Sequence, residues 1–548
     1  MQDLEERYLT TKEFPEGIVV TGFTDEFLAK SDFDGNVSIP ARIKGRPVVR
    51  IAEKAFRDVY AIVNLKLPSG LVEIGRSAFK HCAKLESVEL PDTLEEIRYR
   101  AFKECIALKE VRFPDSVVRI EPSAFKKCFT LEKVVFGKGI LEIGDGAFKG
   151  CFKLQEVEVP ETTTSLGEVV FAKCEALKKA TIRGKLTSTG VGLFHGCVSL
   201  EEATLPESLE ELAEGVFSGC ESLKAFTMPP KVKKIGENAF LGCKSLSRLN
   251  LHDQIEEIRD NAFRESGLIS AVVPASIKKL GEGIFRDCKK LETATLPSTV
   301  VRIDPSTFQG CSSPRFTSFN IPENVKLIGI DAFRDCSSLV SVELPDGLVR
   351  IGRSAFQGCS ALEKIALPAT LTRVGSFAFA RCTSLGAATG TLELPPEIVE
   401  IGDGAFGGCR QLTKFTIAET NPTYAVNRGM LVSKTGVLLC YPSGKHTRTF
   451  DLPPEIVEIG RYAFVDCAHL TMLAIPRTLK KIDENAFRGR ISLRTLEIPV
   501  TVSSIGENAF SSKTHLRVFK GSYAESWAQE NLHPYTSAPP QLDTTTLL

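Results

Sequence analysis

The stretch AFKECIALKEVRFPDSVVRI (residues 101–120) contains one unit of a pattern that runs along almost the whole chain. An Ala-Phe pair is followed by Cys three residues after the Phe, by Leu three residues later, and by an apolar alternation that Pro114 ends. Fifteen of the sixteen cysteines stand at this one point of the pattern. Their role decides whether the repeat contains metal ligands, disulfides or nucleophiles, or only residues that fill the core.

The pattern occurs nineteen times when it is counted by its phenylalanine, mostly at a spacing of 23 residues. Its copies are centred on Phe56, Phe79, Phe102, Phe125, Phe148, Phe171, Phe194, Phe217, Phe240, Phe263, Phe285, Phe308, Phe333, Phe356, Phe379, Phe406, Phe464, Phe487 and Phe510. The frame slips between Phe263 and Phe333, which we interpret as sequence drift rather than as a kink. A regular repeat of this length indicates a solenoid.

Numbered from the Phe as position 0, the repeat has Ala at −1, Cys at +3, Leu at +6, Val at +9, Leu at +11, Pro at +12, Leu at +15, Ile at +18 and often Gly at +19. Buried +9 and +11 with polar +8 and +10 predict a short strand, which Pro ends because it cannot donate to a ladder. Positions +15 to +18 predict a second extended arm, followed by a turn at Gly. The spacing of Ala, Phe, Cys and Leu predicts one or two helical turns.

A single copy cannot bury this apolar stripe alone, whereas stacked copies bury it continuously. The sequence therefore predicts a curved repeat solenoid. Its short parallel strands form the concave face, and helical turns and extended arms form the other side.

The repeat resembles the BspA-type leucine-rich repeat, also called the treponemal type, whose unit carries the same LPxxLxxIGxxAFxxCxxLxxVxL pattern. The resemblance covers about residues 45–520. The segment from IVVTGF to AEKAF (18–56) is similar to the start of proteins in this family, and FKGSYAESWAQENLHPY (519–535) to their helical end. The resemblance implies a non-enzymatic protein that binds macromolecules.

We divide the chain into an N-terminal cap (1–50), repeats (51–418), an inserted β-hairpin (419–450), further repeats (451–515), a C-terminal cap helix (516–535) and a disordered tail (536–548). Met430–Ser433 and Val437–Tyr441 read as two strands of a hairpin that projects from the stack. Ser522 with Glu525 three residues later has the spacing of a capping box.

The cysteines at +3 read as a buried core position. No two of them are closer than 22 residues, and no His recurs beside them, as a zinc site would require. Their side chains are expected to point the same way into the core, which disfavours disulfides between neighbouring copies. Cys440, in the hairpin, is expected to be more accessible.

No constellation of residues predicts catalysis, a metal or a cofactor. The seven histidines fall at unrelated positions of the repeat, and GKGILEIGDG (137–146) lacks the context of a nucleotide-binding loop. We therefore predict that the protein is not an enzyme.

Three surface series are candidates for binding. At +8, Glu110, Lys133, Glu156, Lys179 and Glu202 predict a ladder of alternating charge. At +10, a neutral strip is the predicted partner-binding site, or else simply β-branched strand packing: Thr181, Thr204, Thr227, Asn250, Val272, Thr295 and Asn320. At +1, Arg57, Lys80, Lys103, Lys126 and Lys149 form a basic line that suits sulfated glycans or acidic partners, or is a solvated edge.

Charge is balanced, with 68 basic and 68 acidic residues, so nothing draws the whole chain toward nucleic acid. No apolar run is long enough to span a membrane, and the N-terminus lacks the apolar stretch of a secretory signal. We predict a monomer that binds a protein or glycan through its concave face. The family resemblance implies cell-surface adhesion and recognition of host or matrix proteins, while the missing signal and the sixteen thiols favour the alternative of an intracellular interaction scaffold.

Overall fold

The computed structural model describes residues 3–30 and 33–539 and divides the chain into two compact units, Met1–Phe285 (unit 1) and Arg286–Leu548 (unit 2). Each unit is a parallel β-solenoid in which successive copies of the repeat stack on one another. The predicted solenoid fold is therefore confirmed.

The first strand of each copy, at positions +8 to +10, is where the apolar alternation predicts it, and +9 points inward, as with the buried Val111 and Val157. In unit 1 these strands are Asn36–Ser38, Asn64–Lys66, Ser87–Glu89, Glu110–Arg112, Lys133–Val135, Glu156–Val159, Lys179–Ile182, Glu202–Thr204, Ala225–Phe226 and Ser270–Val272. In unit 2 they are Thr293–Thr295, Ser318–Asn320, Ser341–Glu343, Thr391–Glu393, Lys414–Thr416, Thr449–Asp451, Met472–Ala474 and Thr495–Glu497, followed by His515–Phe519 and Tyr535–Ala538.

The second strand, at +17 and +18, forms a separate parallel ladder in which Ile at +18 is buried. In unit 1 these strands are Glu73–Ile74, Glu96–Ile97, Arg119–Ile120, Glu142–Ile143, Ser165–Leu166, Glu211–Leu212, Lys234–Ile235, Glu257–Ile258 and Lys279–Leu280. In unit 2 they are Arg302–Ile303, Leu327–Ile328, Arg350–Ile351, Arg373–Val374, Glu400–Ile401, Glu458–Ile459, Lys481–Ile482 and Ser504–Ile505.

The turn segment, positions −2 to +2 around each Phe, is a series of tight turns rather than a stretch of α-helix. Residues at −2 and +2 adopt left-handed backbone, as Ser77 (φ 54°) and His81 (φ 63°) do, and glycine takes these places in several copies. This conformation turns the N–H groups along the stack. Phe79, for example, donates its N–H to the carbonyl oxygen of Ala101 in the next copy at 2.8 Å. The turn segments thus form a third ladder of inter-copy hydrogen bonds.

The core is a column of phenylalanine rings. The rings of Phe79, Phe102, Phe125 and Phe148 are fully buried and stack in parallel, with centroids 5.2, 5.1 and 5.4 Å apart along the column. Parallel stacking at this distance follows from the spacing of the strands, which holds every copy in the same register.

At the N-terminus, two hairpins cover the open end of unit 1. Leu9–Phe14 pairs antiparallel with Gly17–Phe23, and Arg42–Ile43 with Arg46–Ile51. The segment also holds a 3₁₀-helix (Glu6–Tyr8) and a short α-helix (Asp25–Leu28). Arg46–Ile51 connects to the first repeat by parallel pairing with Glu73–Ile74.

At the C-terminus, the helix Tyr523–Glu530 lies over the last ring, with the Trp527 and Phe510 centroids 5.6 Å apart. Ser522 caps this helix, as its spacing to Glu525 predicts, by accepting the N–H of Glu525. The Glu525 carboxylate in turn accepts the N–H of Gly521.

The strand Tyr535–Ala538 pairs in parallel with His515–Phe519. Residues 536–538 are therefore part of a sheet, although the sequence predicted that the disordered tail begins at residue 536. Residues 540–548 of that predicted tail lie outside the described residues.

The hairpin segment lies within the stack instead of projecting from it. Met430–Ser433 and Val437–Cys440 pair antiparallel as predicted, with Tyr424–Asn427 as a third strand. However, Val437–Cys440 also pairs in parallel with Glu458–Ile459 and so continues the second-strand ladder.

Tyr441 takes the place of a repeat phenylalanine, 23 residues before Phe464. Its N–H donates to Ala463 at 2.8 Å, the bond that Phe makes in the other copies, and its ring lies 5.1 Å from that of Phe464. A twentieth copy is therefore present without its Ala-Phe-x-x-Cys signature.

Gly75 at +19 is required by close approach rather than by turn conformation. A Cβ there would lie 2.6 Å from the carbonyl oxygen of Ile51 in the preceding copy. We expect Gly75→Ala to lower the free energy of unfolding by about 2–3 kcal/mol, since backbone would have to move. Gly347→Ala is the matched control, because its Cβ would meet only the flexible end of Lys326, and it should change stability by less than about 0.5 kcal/mol. Equal losses in urea unfolding would contradict the close-approach explanation.

Candidate binding surfaces

The cysteines form a buried ladder, as predicted. All sixteen are free and buried. Thiols at +3 are hydrogen-bonded to the copy before them: Cys105 Sγ donates to the carbonyl oxygen of Phe79 at 3.2 Å, and Cys128 Sγ to that of Phe102 at 3.3 Å. Burial raises the pKa of Cys128 to about 12. These thiols are therefore neutral core groups and not nucleophiles.

The prediction that Cys440 is more accessible is wrong. Because its strand continues the second-strand ladder, Cys440 is buried, and burial raises its pKa to about 12. Among the residues that the structure describes, no group of three or more His, Cys, Asp or Glu could hold a metal ion.

His81 lies between two carboxylates, although the sequence showed no pattern in the histidines. Its Nδ1 is 2.7 Å from Asp58 Oδ1, and its Nε2 is hydrogen-bonded to Glu104. The neighbouring thiol of Cys82 is buried with its pKa raised to about 12, so it offers no nucleophile to this histidine. The arrangement joins the +2 positions of three successive copies.

The charge ladder at +8 is present in unit 1. Parallel pairing aligns Glu110 with Lys133, Lys133 with Glu156, Glu156 with Lys179 and Lys179 with Glu202. The Lys179 ammonium lies 3.6 Å from the Glu202 carboxylate. Opposite charges on adjacent strands stabilise the register of the stack modestly.

The predicted strip at +10 is divided between the two units. In unit 1, Thr204, Thr227 and Asn250 are exposed, Thr181 is half-buried, and Thr181 pairs with Thr204. Val272 is 64% exposed, which adds an apolar residue to the same series. In unit 2, Thr295 and Asn320 are also exposed. The structure thus places these side chains outward along the line of the first strands, with Thr227 directly after the strand Ala225–Phe226 and Asn250 in a copy that has only an isolated bridge at Arg248.

Two grooves on the first-strand faces were missed by sequence reasoning. In unit 1, a groove of about 420 Å³ is lined by Lys133, Gln155, Glu156, Glu158 and Thr181, among others. In unit 2, a groove of about 730 Å³ includes Thr449, Met472, Thr495, Glu497 and Arg517. Met472 at +8 is 60% exposed; an apolar residue at a position that is otherwise mainly polar was the available signal.

The basic line at +1 brings half-buried ammonium groups close together. Lys80, Lys103, Lys126 and Lys149 are all partly buried. Burial lowers the pKa of Lys126, and the neighbouring Lys149 and Lys103 lower it further. The pKa of Lys80 is lowered in the same way by burial and by Lys103. The carboxylates at +2 offset part of this charge, since Lys103 lies 3.5 Å from Glu104 and Arg57 lies 3.1 Å from Asp58.

The family model described as "BspA type Leucine rich repeat region (6 copies)" matches residues 49–178, 95–224, 187–315, 312–426 and 440–525. The chain belongs to the BspA-type leucine-rich repeat family. Its match over 440–525 begins beside Tyr441, in agreement with the twentieth copy seen in the structure.

Solved structures of leucine-rich repeat proteins are similar to this chain. A leucine-rich repeat protein from Bacteroides ovatus is 26% identical, with a TM-score of 0.55, over 76% of this chain and 95% of its own. A leucine rich cell surface protein from Faecalibacterium prausnitzii is 19% identical, with a TM-score of 0.34, over 70% of this chain and 93% of its own. No curated protein matches the sequence.

No helix in the described part of this BspA-type chain combines the length and apolar character needed to cross a membrane.

Proposed function

We propose that this BspA-type protein is a non-enzymatic scaffold that binds a macromolecular partner through the exposed face of its first strands. The partner is a protein or glycan, and the chain acts as a monomer. We further propose that its role is adhesion at a bacterial or protist cell surface, through recognition of host or matrix proteins. Membership of the BspA-type family supports the scaffold role. The adhesion role is supported by what the resemblance to that family implies.

The observation that carries the binding proposal is the regular outer face of unit 1. From Glu156 to Thr204, in-register parallel strands present the +8 and +10 side chains of successive copies outward, while +9 points inward. At Ala225 a small neutral residue interrupts the charges at +8, which resume at Arg248, and the neutral Thr204 and Thr227 stand at +10 on the same face. A stacked-repeat surface of this kind suits an extended partner.

A second candidate is an intracellular interaction scaffold. The sixteen free thiols favour it, because none forms a disulfide in the structure. Protease treatment of intact source cells separates the two roles: cleavage of the native protein at the cell surface would support adhesion, and full protection would support the intracellular scaffold.

Substituting Thr204→Lys together with Thr227→Lys should reduce partner binding at least tenfold, since two long cations would replace small side chains on the face. Binding is measured on an array of immobilised matrix proteins and glycans. The matched control is Val191→Lys with Val198→Lys, which adds the same charge at exposed positions near the turn segment of the same region. If both double variants keep full binding, the first-strand face is not the binding surface.

A further inference from the structure

The hairpin segment interrupts the turn ladder of unit 2. In the copies of Phe308, Phe333, Phe356 and Phe379, the N–H groups at −2, 0 and +2 donate to the next turn segment; Arg381, for example, donates to Gly407 at 2.7 Å. In the copy of Phe406, the equivalent N–H groups of Gly404, Phe406 and Gly408 have no backbone acceptor in the described part of the chain. Tyr441 fills the core at the next position, but the residues before it form the strand Val437–Cys440 instead of a turn.

The turn segment of Phe464 is therefore the neighbour of the turn segment of Phe406, and its side chains pack against that segment. A Cβ on Gly407 would lie 3.2 Å from Val465 Cγ1, and one on Gly404 would lie 3.2 Å from Tyr462 Cβ. At +1, where most copies carry a larger side chain, this region has Ala380 and Gly407. The two small residues leave a notch of about 430 Å³ on the turn side of unit 2.

Two aromatic rings form one wall of this notch. Phe377 and Tyr462, both at −2, meet edge to face with centroids 4.9 Å apart. Both have left-handed backbone, with φ of 58°, in a conformation that costs energy for bulky residues. Most other copies place Ser, Asn, Gly or Asp at this position, three have Lys54, Arg100 or Val169, and no other repeat phenylalanine has an aromatic residue there. The aromatic wall is thus a local departure from what the repeat itself requires.

The notch carries an excess of positive charge. Arg334, Arg353, Arg381 and Arg488 line it, against the carboxylates of Asp331 and Asp466. Arg334 is paired with Asp331 at 3.5 Å. Arg353, Arg381 and Arg488 are exposed and form no ion pair with any described residue.

The uncharged polar groups of the notch narrow the class of ligand. Ser354 and Gln357 also line it and offer hydroxyl and amide hydrogen bonds beside the Asp466 carboxylate. Donors and acceptors next to an aromatic wall suit a hydroxylated ring, whose C–H face packs on the rings. Unpaired arginines suit a carboxylate or sulfate. A bare inorganic anion would use neither the rings nor the acceptors.

We propose that this notch binds an acidic sugar, either a uronic acid or a sulfated hexose. Arg381 and the other unpaired arginines bind the acidic group, and the rings of Phe377 and Tyr462 pack against the sugar ring. Ser354, Gln357 and Asp466 form hydrogen bonds with its hydroxyl groups. The site is separate from the first-strand face and does not depend on the function proposed for that face.

The test measures binding of sodium glucuronate and glucose 6-sulfate to the full chain by calorimetry. We expect at least one of them to bind with a Kd of about 1 mM or tighter, as befits a ligand of this size. Glucose and inorganic sulfate should bind at least about tenfold more weakly, because each lacks half of the contacts. Absence of binding by both acidic sugars, or equal binding by inorganic sulfate, would overturn the proposal.

Two variants locate the site. Ala380→Leu fills the notch, and the fold accepts Leu at +1, as Leu241 shows in unit 1. Arg381→Gln removes an unpaired cation. Each should weaken binding about tenfold or more. Ala172→Leu and Lys173→Gln are the controls at the same positions of an uninterrupted copy, and thermal unfolding of all four verifies folding. Binding that survives Ala380→Leu in a folded protein, or that the controls abolish equally, would overturn the assignment.

Discussion

Unit 1 is expected to lose stability steeply as the pH rises from about 8.5 to about 10.5. Eight buried thiols of this unit, from Cys82 to Cys243, have their pKa raised by burial, to about 12 for Cys82, Cys128 and Cys197. In the unfolded chain they ionise near pH 8.5. Their contribution to stability is therefore complete below pH 8.5 and is lost as the pH rises toward the pKa of the folded state.

Each such thiol should cost roughly 1 kcal/mol of unfolding free energy for every pH unit above its unfolded pKa, and the eight act together when the unit unfolds. The measurement is urea unfolding followed by circular dichroism at several values between pH 8 and pH 10.5. Lysine and tyrosine also titrate in this range, so the control replaces Cys128 and Cys151 by Ala. In that variant the part of the slope that the thiols cause should be smaller by about a quarter, since two of the eight are gone. Identical slopes in both proteins would show that the thiols do not cause the alkaline loss.

Phe148→Ala is expected to lower the free energy of unfolding by about 3–5 kcal/mol. The ring is fully buried and stacks on Phe125 at 5.4 Å and on Phe171 at 5.7 Å, so its removal leaves a cavity and weakens the interfaces with both neighbouring copies. Edge contacts with Phe113 and Phe136 are lost as well.

The matched control for this variant is Phe152→Ala. Phe152 stacks on Phe129 at 5.0 Å but is 38% exposed, so we expect a loss of only about 1 kcal/mol. Both losses are read from urea unfolding at pH 7, where the thiols are neutral. A loss at Phe148 no larger than that at Phe152 would mean that the phenylalanine column does not carry the stability of the stack.

The repeat made most of the scaffold predictable. Period-two alternation around Val111 identified the first strand, and the recurrence of Cys at one repeat position identified a core role for the thiols. The charge ladder from Glu110 to Glu202 followed from the 23-residue spacing, since stacking places equal positions side by side. These features depend only on residue type and repeat position.

The turn segments and the notch were not predicted. Left-handed backbone at −2 and +2 is evident in sequence only where glycine stands there, as at Gly146 and Gly150, and it is hidden where Ser77 or His81 adopts it. Tyr441 lacks the Ala-Phe-x-x-Cys context, so the sequence pattern predicted nineteen copies and a projecting hairpin. The notch arises because Tyr441 occupies the core position of a repeat phenylalanine while the turn segment that should precede it is replaced by a strand. No local sequence pattern predicts this replacement.

The sequence by itself determined the solenoid, the strand positions and the buried column of Phe and Cys, because a repeated apolar stripe can be buried only by stacking. Only the tertiary structure decided how the copies meet: the close approach at Gly75, the burial of Cys440, and the unpaired arginines around Ala380 and Gly407. Those features depend on the distances between residues of different copies. The copy of Tyr441, which has a strand in place of its turn segment, changes such distances. The repeat pattern of the sequence before and after it stays the same.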